Sequence, residues 1–118
     1  MYTQAHKGSC DNVISVGAFG GSGKKAYFSN YGKSSVDVFA PGVSILSTHN
    51  YKSYKRLSGT SMATPFVAGI LGLALSFDEK LSYSELKSLL IESAVDNGHL
   101  DPYSVGGRAD AFKLLKSL

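Results

Sequence analysis

One short block constrains this chain more than any other: Gly59-Thr60-Ser61-Met62-Ala63-Thr64-Pro65, followed at once by Phe66-Val67-Ala68-Gly69. A serine stands between a glycine-bearing turn and a long apolar run. From Ser61 to Phe77 apolar residues fall on every side of a helical projection, the pattern of a core helix. Pro65 is compatible with that helix where it falls in or near the first turn. The serine then lies at a helix N-terminus, where free N–H groups and the helix dipole favour a developing oxyanion. An acyl-transfer nucleophile needs that placement. Taken alone, such a serine is more often an N-cap, so its surroundings decide. The lipase-type nucleophile elbow fits poorly, because it needs glycine two residues after the serine and Ala63 is there.

Upstream, the chain reads as short strands separated by turns. Residues 1–11 are polar and patternless, a loop or a cut end. Val13 to Phe19 is apolar and β-branched, a buried strand. Ala26 to Gly32 is expected as a short strand ending in a glycine turn. Val36 to Ala40 is another strand, closed by Pro41-Gly42. Val43 to Thr48 follows as a strand, and Tyr51 to Leu57 as one arm of a hairpin. Downstream, Ser82-Tyr83-Ser84-Glu85 has the capping-box form. Leu86, Leu89, Leu90 and Ala94 continue one apolar stripe, and Asn97-Gly98 is the expected stop. A third, short helix runs from an Asp110 N-cap through Phe112, Leu114 and Leu115. Strands followed by packed helices give an α/β layered domain, built mostly of parallel strands, a buried nucleophile helix and two further helices.

Bulk properties narrow the function classes. At 118 residues, 43% hydrophobic and 18% charged, the chain is one small globular domain. Its lysines are scattered and form no aromatic-interleaved stripe, which argues against nucleic acid. A single cysteine, Cys10, leaves no intramolecular disulfide and no zinc site, and reads as a plain free thiol. No run of apolar residues long enough to span a membrane goes uninterrupted by polar ones. Met1 to Lys7 has no apolar segment of a signal peptide.

Several segments together carry a resemblance. Asp11-Asn12-Val13-Ile14-Ser15-Val16-Gly17-Ala18, Phe28-Ser29-Asn30-Tyr31-Gly32, Asp37-Val38-Phe39-Ala40-Pro41-Gly42-Val43-Ser44-Ile45, the serine block, and Gly106-Gly107-Arg108-Ala109-Asp110-Ala111 occur in this order. In order and spacing they resemble the strand, "FSNYG" turn, "DVxAPGxxI" segment, nucleophile block and "GxGxxNAxxA" ending of subtilisin-like serine proteases. The last has Asp110 where asparagine is usual. The match runs from about residue 11 to 115, and residues 1–118 resemble the C-terminal portion of that catalytic domain.

The resemblance implies a serine endopeptidase with Ser61 as nucleophile. It implies that the Ser61 N–H donates to the oxyanion, with the Thr60 hydroxyl a minor donor. Gly59 would let the chain approach the scissile peptide closely, and Met62 would pack behind the serine. Phe66 stands where the family often has histidine, a packing position. The family's general-base histidine, in a "HGTxVAG"-like block, is absent from this chain. So are its orienting aspartate, in a "DTG" or "DSG" block, and its oxyanion asparagine. Only His6, His49 and His99 are present, and each reads as a solvated loop histidine rather than a replacement base. The resemblance leaves Asp37 two readings, a neighbour of a cation site as in relatives or, the better one here, an ordinary strand-edge carboxylate.

The expectations are therefore a peptide or protein substrate and an isolated chain without useful protease activity. The histidine and aspartate would come from a missing N-terminal segment or a second chain. No metal or cofactor is expected in this chain, although structural calcium occurs in full-length domains of the family. Extracellular location follows by resemblance. The alternative is a catalytically dead remnant or interaction module of the same fold.

Overall fold

A computed structural model describes residues 11–96 and 98–118. Strand β1 spans Val16–Phe19 and β2 spans Val38–Pro41; they pair in parallel with Val16 opposite Val38 and Ala18 opposite Ala40. Both are buried on two faces, which explains their continuous apolar sequence. Alternation divides β2 between two cores. Val38 and Ala40 join Val16 and Ala18 in the larger cluster, whereas Phe39 joins Val36 and Leu100 in a second one. Residues 105–109 run along the far side of β2. The Phe39 N–H donates to the Gly107 carbonyl at 2.7 Å, and the Ala109 N–H to the Phe39 carbonyl at 2.9 Å.

Strands β3, Ile45–His49, and β4, Ser53–Leu57, form an antiparallel hairpin separate from this sheet. The parallel pairing expected from sequence is that of β1 with β2, and the hairpin arm expected at 51–57 is β4. Residues 26–32 form no strand. The Ser29 N–H donates to the Ala26 carbonyl at 3.0 Å, which closes a turn. The buried Ser29 hydroxyl then accepts from the Ala18 N–H at 2.8 Å and donates to the Asn30 carbonyl at 2.8 Å. The turn is therefore fastened to the centre of β1.

Helix α1, Thr60–Phe77, lies against β1 and β2. Its stripe of Ala63, Val67 and Ala74 is buried with Leu86, Leu90 and Leu114 of the following helices. Burying a valine or leucine side chain contributes roughly 1.5–3 kcal/mol. The expectation that α1 is buried all round is corrected by its other flank. Phe77 is 71% exposed, Leu73 50% and Phe66 44%. Among the described residues, the packed elements cover only one side of the helix. Pro65 sits in the second turn rather than the first, so no N–H returns to the Ser61 carbonyl four residues back. By length and composition α1 is apolar enough to cross a membrane, but its small-residue stripe packs on the sheet.

Helix α2 spans Tyr83–Ser93 and α3 spans Ala111–Lys116. The capping box at Ser82 and Glu85 is formed, and Asp110 Oδ1 accepts from the Lys113 N–H at 2.9 Å. Helix α2 ends before the expected Asn97-Gly98 stop. Val95 leaves it to pair antiparallel with Arg108, each N–H donating to the other's carbonyl at 2.8 and 2.9 Å. Gly107 permits this crossing: its φ is 87°, and a Cβ there would lie 2.8 Å from the Val95 carbonyl oxygen. A 3-10 turn at Asp101–Tyr103, unmarked in the sequence pattern, precedes the crossing.

Candidate active site

The site is built where β2, the hairpin and α1 meet. Gly42 closes β2 and its carbonyl accepts the Gly59 N–H at 2.8 Å. The contact is close: a Cβ on Gly42 would lie 2.5 Å from the Ala18 Cβ and 2.7 Å from the Gly59 carbonyl oxygen. The turn before α1 is thereby clamped to the central sheet. Gly59 then caps α1 through its backbone, with its carbonyl accepting the N–H groups of Met62 at 3.0 Å and Ala63 at 3.3 Å. Thr60 and Ser61 precede these bonds, so their N–H groups belong to the unsatisfied first turn. No side chain caps the helix.

Ser61 is exposed in this first turn. Among the described residues its hydroxyl has no hydrogen-bond partner, so the side chain is not used as a cap. It lines a cavity of about 360 Å³ between the hairpin and the helix, whose walls include Ile45, Leu57, Met62, Pro65 and Phe66. Met62 is half-buried beside the serine. A Cβ on Gly59 would meet nothing nearer than the Met62 sulfur at 3.5 Å. The Gly59 φ of 159° is nevertheless one that residues with side chains rarely adopt, so the backbone conformation itself calls for glycine there. Phe66, which stands where the resemblance would put histidine, lines the cavity as well.

The histidines are distributed as follows. His49, expected in a loop, is the last residue of β3 and lines the same cavity as Ser61, but no hydrogen bond joins the two. His99 is exposed in the segment after α2. His6 and Cys10 lie outside the described residues, as does Asn97. Asp37 is not a solvent-facing strand-edge carboxylate. It is fully buried immediately before β2, where Oδ2 accepts the Ser15 N–H at 2.9 Å and lies 3.3 Å from Lys87 Nζ. The same ammonium donates to the Val13 carbonyl at 2.6 Å, tying α2 to the start of β1. With an ammonium against it, Asp37 does not suit a calcium ion. Among the described residues no group of three or more His, Cys, Asp or Glu could hold a metal.

Sequence reasoning did not anticipate the part played by the hairpin. Directly opposed residues share a face, so Ile45 and Leu57, Ser47 and Lys55, and His49 and Ser53 form three successive pairs. All but Ser53 line the cavity beside Ser61. Residues 45–49 do not alternate in character and all five line the cavity, so the sequence carries no period-two signal that could have marked the lining.

The architecture defines an α/β unit with an exposed serine at the mouth of a long apolar helix. Comparison with known proteins makes the class specific: the subtilase family matches residues 2–107, and the chain belongs to that family. It is 42% identical to subtilisin DY of Bacillus licheniformis over 96 residues, covering 81% of this chain and 35% of that protein. It is 43% identical to the halolysin-like extracellular serine protease Nep of Natrialba magadii over 101 residues, covering 86% and 18% respectively. A protease of Pseudoalteromonas arctica superposes with a TM-score of 0.83 at 31% identity, covering 95% of this chain and 38% of the other. The chain thus spans well under half the length of these relatives.

Proposed function

We propose that Ser61 is the nucleophile of a subtilisin-type serine endopeptidase whose general-base histidine, orienting aspartate and oxyanion asparagine come from sequence outside these 118 residues. The observation that carries the reading is the exposed, unbonded Ser61 hydroxyl in the first turn of α1, facing a cavity. Its oxygen attacks the scissile carbonyl carbon and its proton passes to the histidine, which then protonates the departing amine. Water hydrolyses the acyl-serine. The Ser61 N–H, unsatisfied within the helix, donates to the oxyanion, and Thr60 stands beside it. Gly59 leaves room for the substrate backbone. Met62 supports the serine from behind. The reaction needs no cofactor. Secretion is part of the same reading, drawn from relatives named as extracellular.

The isolated chain is inactive on this reading. A fluorophosphonate probe tests it. Labelling at Ser61 is expected when the chain is joined to a segment supplying the histidine, aspartate and asparagine, and not for the chain alone. Absence of labelling in the joined protein, with the fold intact by circular dichroism, would remove the catalytic assignment. The competing reading, a non-catalytic interaction module, draws on the exposed flank of α1. Sedimentation separates them further: a stable soluble monomer of the chain alone favours the module, since an uncovered apolar flank of a broken enzyme promotes association.

A further inference from the structure

We propose that the hairpin face over Ser61 is a specificity surface that selects a peptide carrying an acidic side chain, with Lys55 as the selecting residue; this rests on the reading of Ser61 as a protease nucleophile.

Two observations carry it. The first is the cavity itself. Its lining combines apolar residues, Ile45, Leu46, Leu57 and Met62 among them, with polar Ser47, Thr48 and His49, and Lys55 is the one lysine or arginine that lines it. The cross-strand register stacks these in order away from the β3 start, apolar Ile45–Leu57 first and Ser47–Lys55 next. A volume of about 360 Å³ accommodates one or two side chains of an extended peptide whose carbonyl lies at Ser61. The aliphatic stem of that peptide residue would meet the Ile45–Leu57 pair while its head reaches Lys55.

The second observation is the charge pattern. Between Asp37 and Asp78 the sequence has no aspartate or glutamate, yet it has Lys52, Lys55 and Arg56. No carboxylate lines the cavity, and among the described residues Lys55 has no acidic partner. Arg56 does not line the cavity, and it donates to the Ser44 carbonyl at 2.9 Å. Lys55 is therefore the cation left to meet an incoming charge, and nothing of opposite sign competes for it. An acidic side chain gains a favourable pair there, and a lysine in the same place is repelled.

The test uses the 118-residue chain alone, which on this reading turns over no peptide. The probes are fluorescein-labelled neutral decapeptides with a single glutamate or lysine moved through successive positions, read by fluorescence anisotropy. At one position the glutamate peptide is expected to bind about two- to fivefold tighter than the lysine peptide, in keeping with a partly exposed ion pair. The preference should reverse in Lys55→Glu and shrink with added salt. The ratio is taken within each variant, so a loss of folded protein cancels. The same glutamate-to-lysine ratio in both variants would overturn the proposal. So would the absence of binding by every peptide, which would mean that another segment of protein occupies the cavity. Fluorophosphonate labelling of the joined protein reads the nucleophile separately, so failure of the enzyme and failure of the specificity surface give different results.

Discussion

Helices α1 and α2 both begin at a serine-bearing turn, and the two serines are used in opposite ways. Ser82 is locked into its helix. Its hydroxyl accepts the Glu85 N–H at 3.3 Å and donates to Glu85 Oε2 at 2.6 Å, while its own N–H donates to the same carboxylate at 2.8 Å. Ser61 makes no such bond, and α1 begins without any side-chain cap. The longer, more apolar helix thus has the less satisfied start. It can afford this because its Ala63, Val67 and Ala74 stripe packs on β1 and β2 and because Gly42 clamps the preceding turn. Tertiary packing holds α1 where local capping holds α2. The first turn of α1 is left with free donors and a free hydroxyl, the features an acyl-transfer site uses.

The sharpest way to break the comparison is to remove each serine. In the joined, active protein, Ser61→Ala is expected to lower kcat by more than about 10³-fold. Its thermal stability should shift by no more than about 0.5 kcal/mol, because the hydroxyl holds nothing in the fold. A large loss of stability would mean that Ser61 is structural after all. Next in size is the clamp. Gly42→Ala would place its Cβ 2.5 Å from the Ala18 Cβ and 2.7 Å from the Gly59 carbonyl oxygen. Neither neighbour is a flexible side-chain end. A loss of about 1–3 kcal/mol is expected by urea unfolding, together with slower fluorophosphonate labelling as the Ser61 turn shifts. Labelling at the unaltered rate would show that the clamp does not position the nucleophile.

The sequence exposed the two serine-bearing helix starts unequally. The capping box is a local device, legible from four letters. So is the Asp110 cap of α3. The β1 and β2 strands were legible because both faces are buried, which leaves an uninterrupted apolar run. The role proposed for Ser61 rests on the matching segments around it, since a serine before a helix has commoner uses. What stayed hidden is tertiary. Val95 leaves α2 early for a partner, Arg108, thirteen positions on in the sequence. Asp37 is buried by an ammonium arriving from α2. The one-sided burial of α1 had no sequence signal either, because an apolar residue reads the same whether its cover belongs to this chain or lies beyond it.

A smaller effect probes the capped end. Ser82→Ala removes the acceptor for the Glu85 N–H and one partner of the Glu85 carboxylate. A loss of about 1 kcal/mol is expected by chemical denaturation. Fraying should be confined to the start of α2, seen as faster amide exchange there than near the buried Leu90. A uniform increase across the chain would mean that the cap supports the whole fold rather than one helix end. Ser82→Thr should restore most of the loss, because its hydroxyl can make the same bond.

The smallest expected effect is titration of that cap, and its sign follows from the hydrogen bonds. The Ser82 hydroxyl, and secondarily the Ser82 N–H, donates to the ionised Glu85 carboxylate and holds its pKa below the ordinary 4.5. A carboxylate whose folded value is depressed stabilises the fold above the unfolded value, and that contribution is lost as pH falls through the folded one. The capped start of α2 is therefore at full strength near neutral pH and weakens below 4.5. Unfolding followed in urea from neutral pH down to about pH 3 should show part of the acid-induced loss disappearing in Glu85→Gln, which keeps a side-chain acceptor but cannot ionise. Ser82→Ala should remove much of the same part. Ser61→Ala should leave the pH dependence unchanged, because no carboxylate is bound to that serine; an altered acid limb in Ser61→Ala would contradict the contrast between the two helix starts.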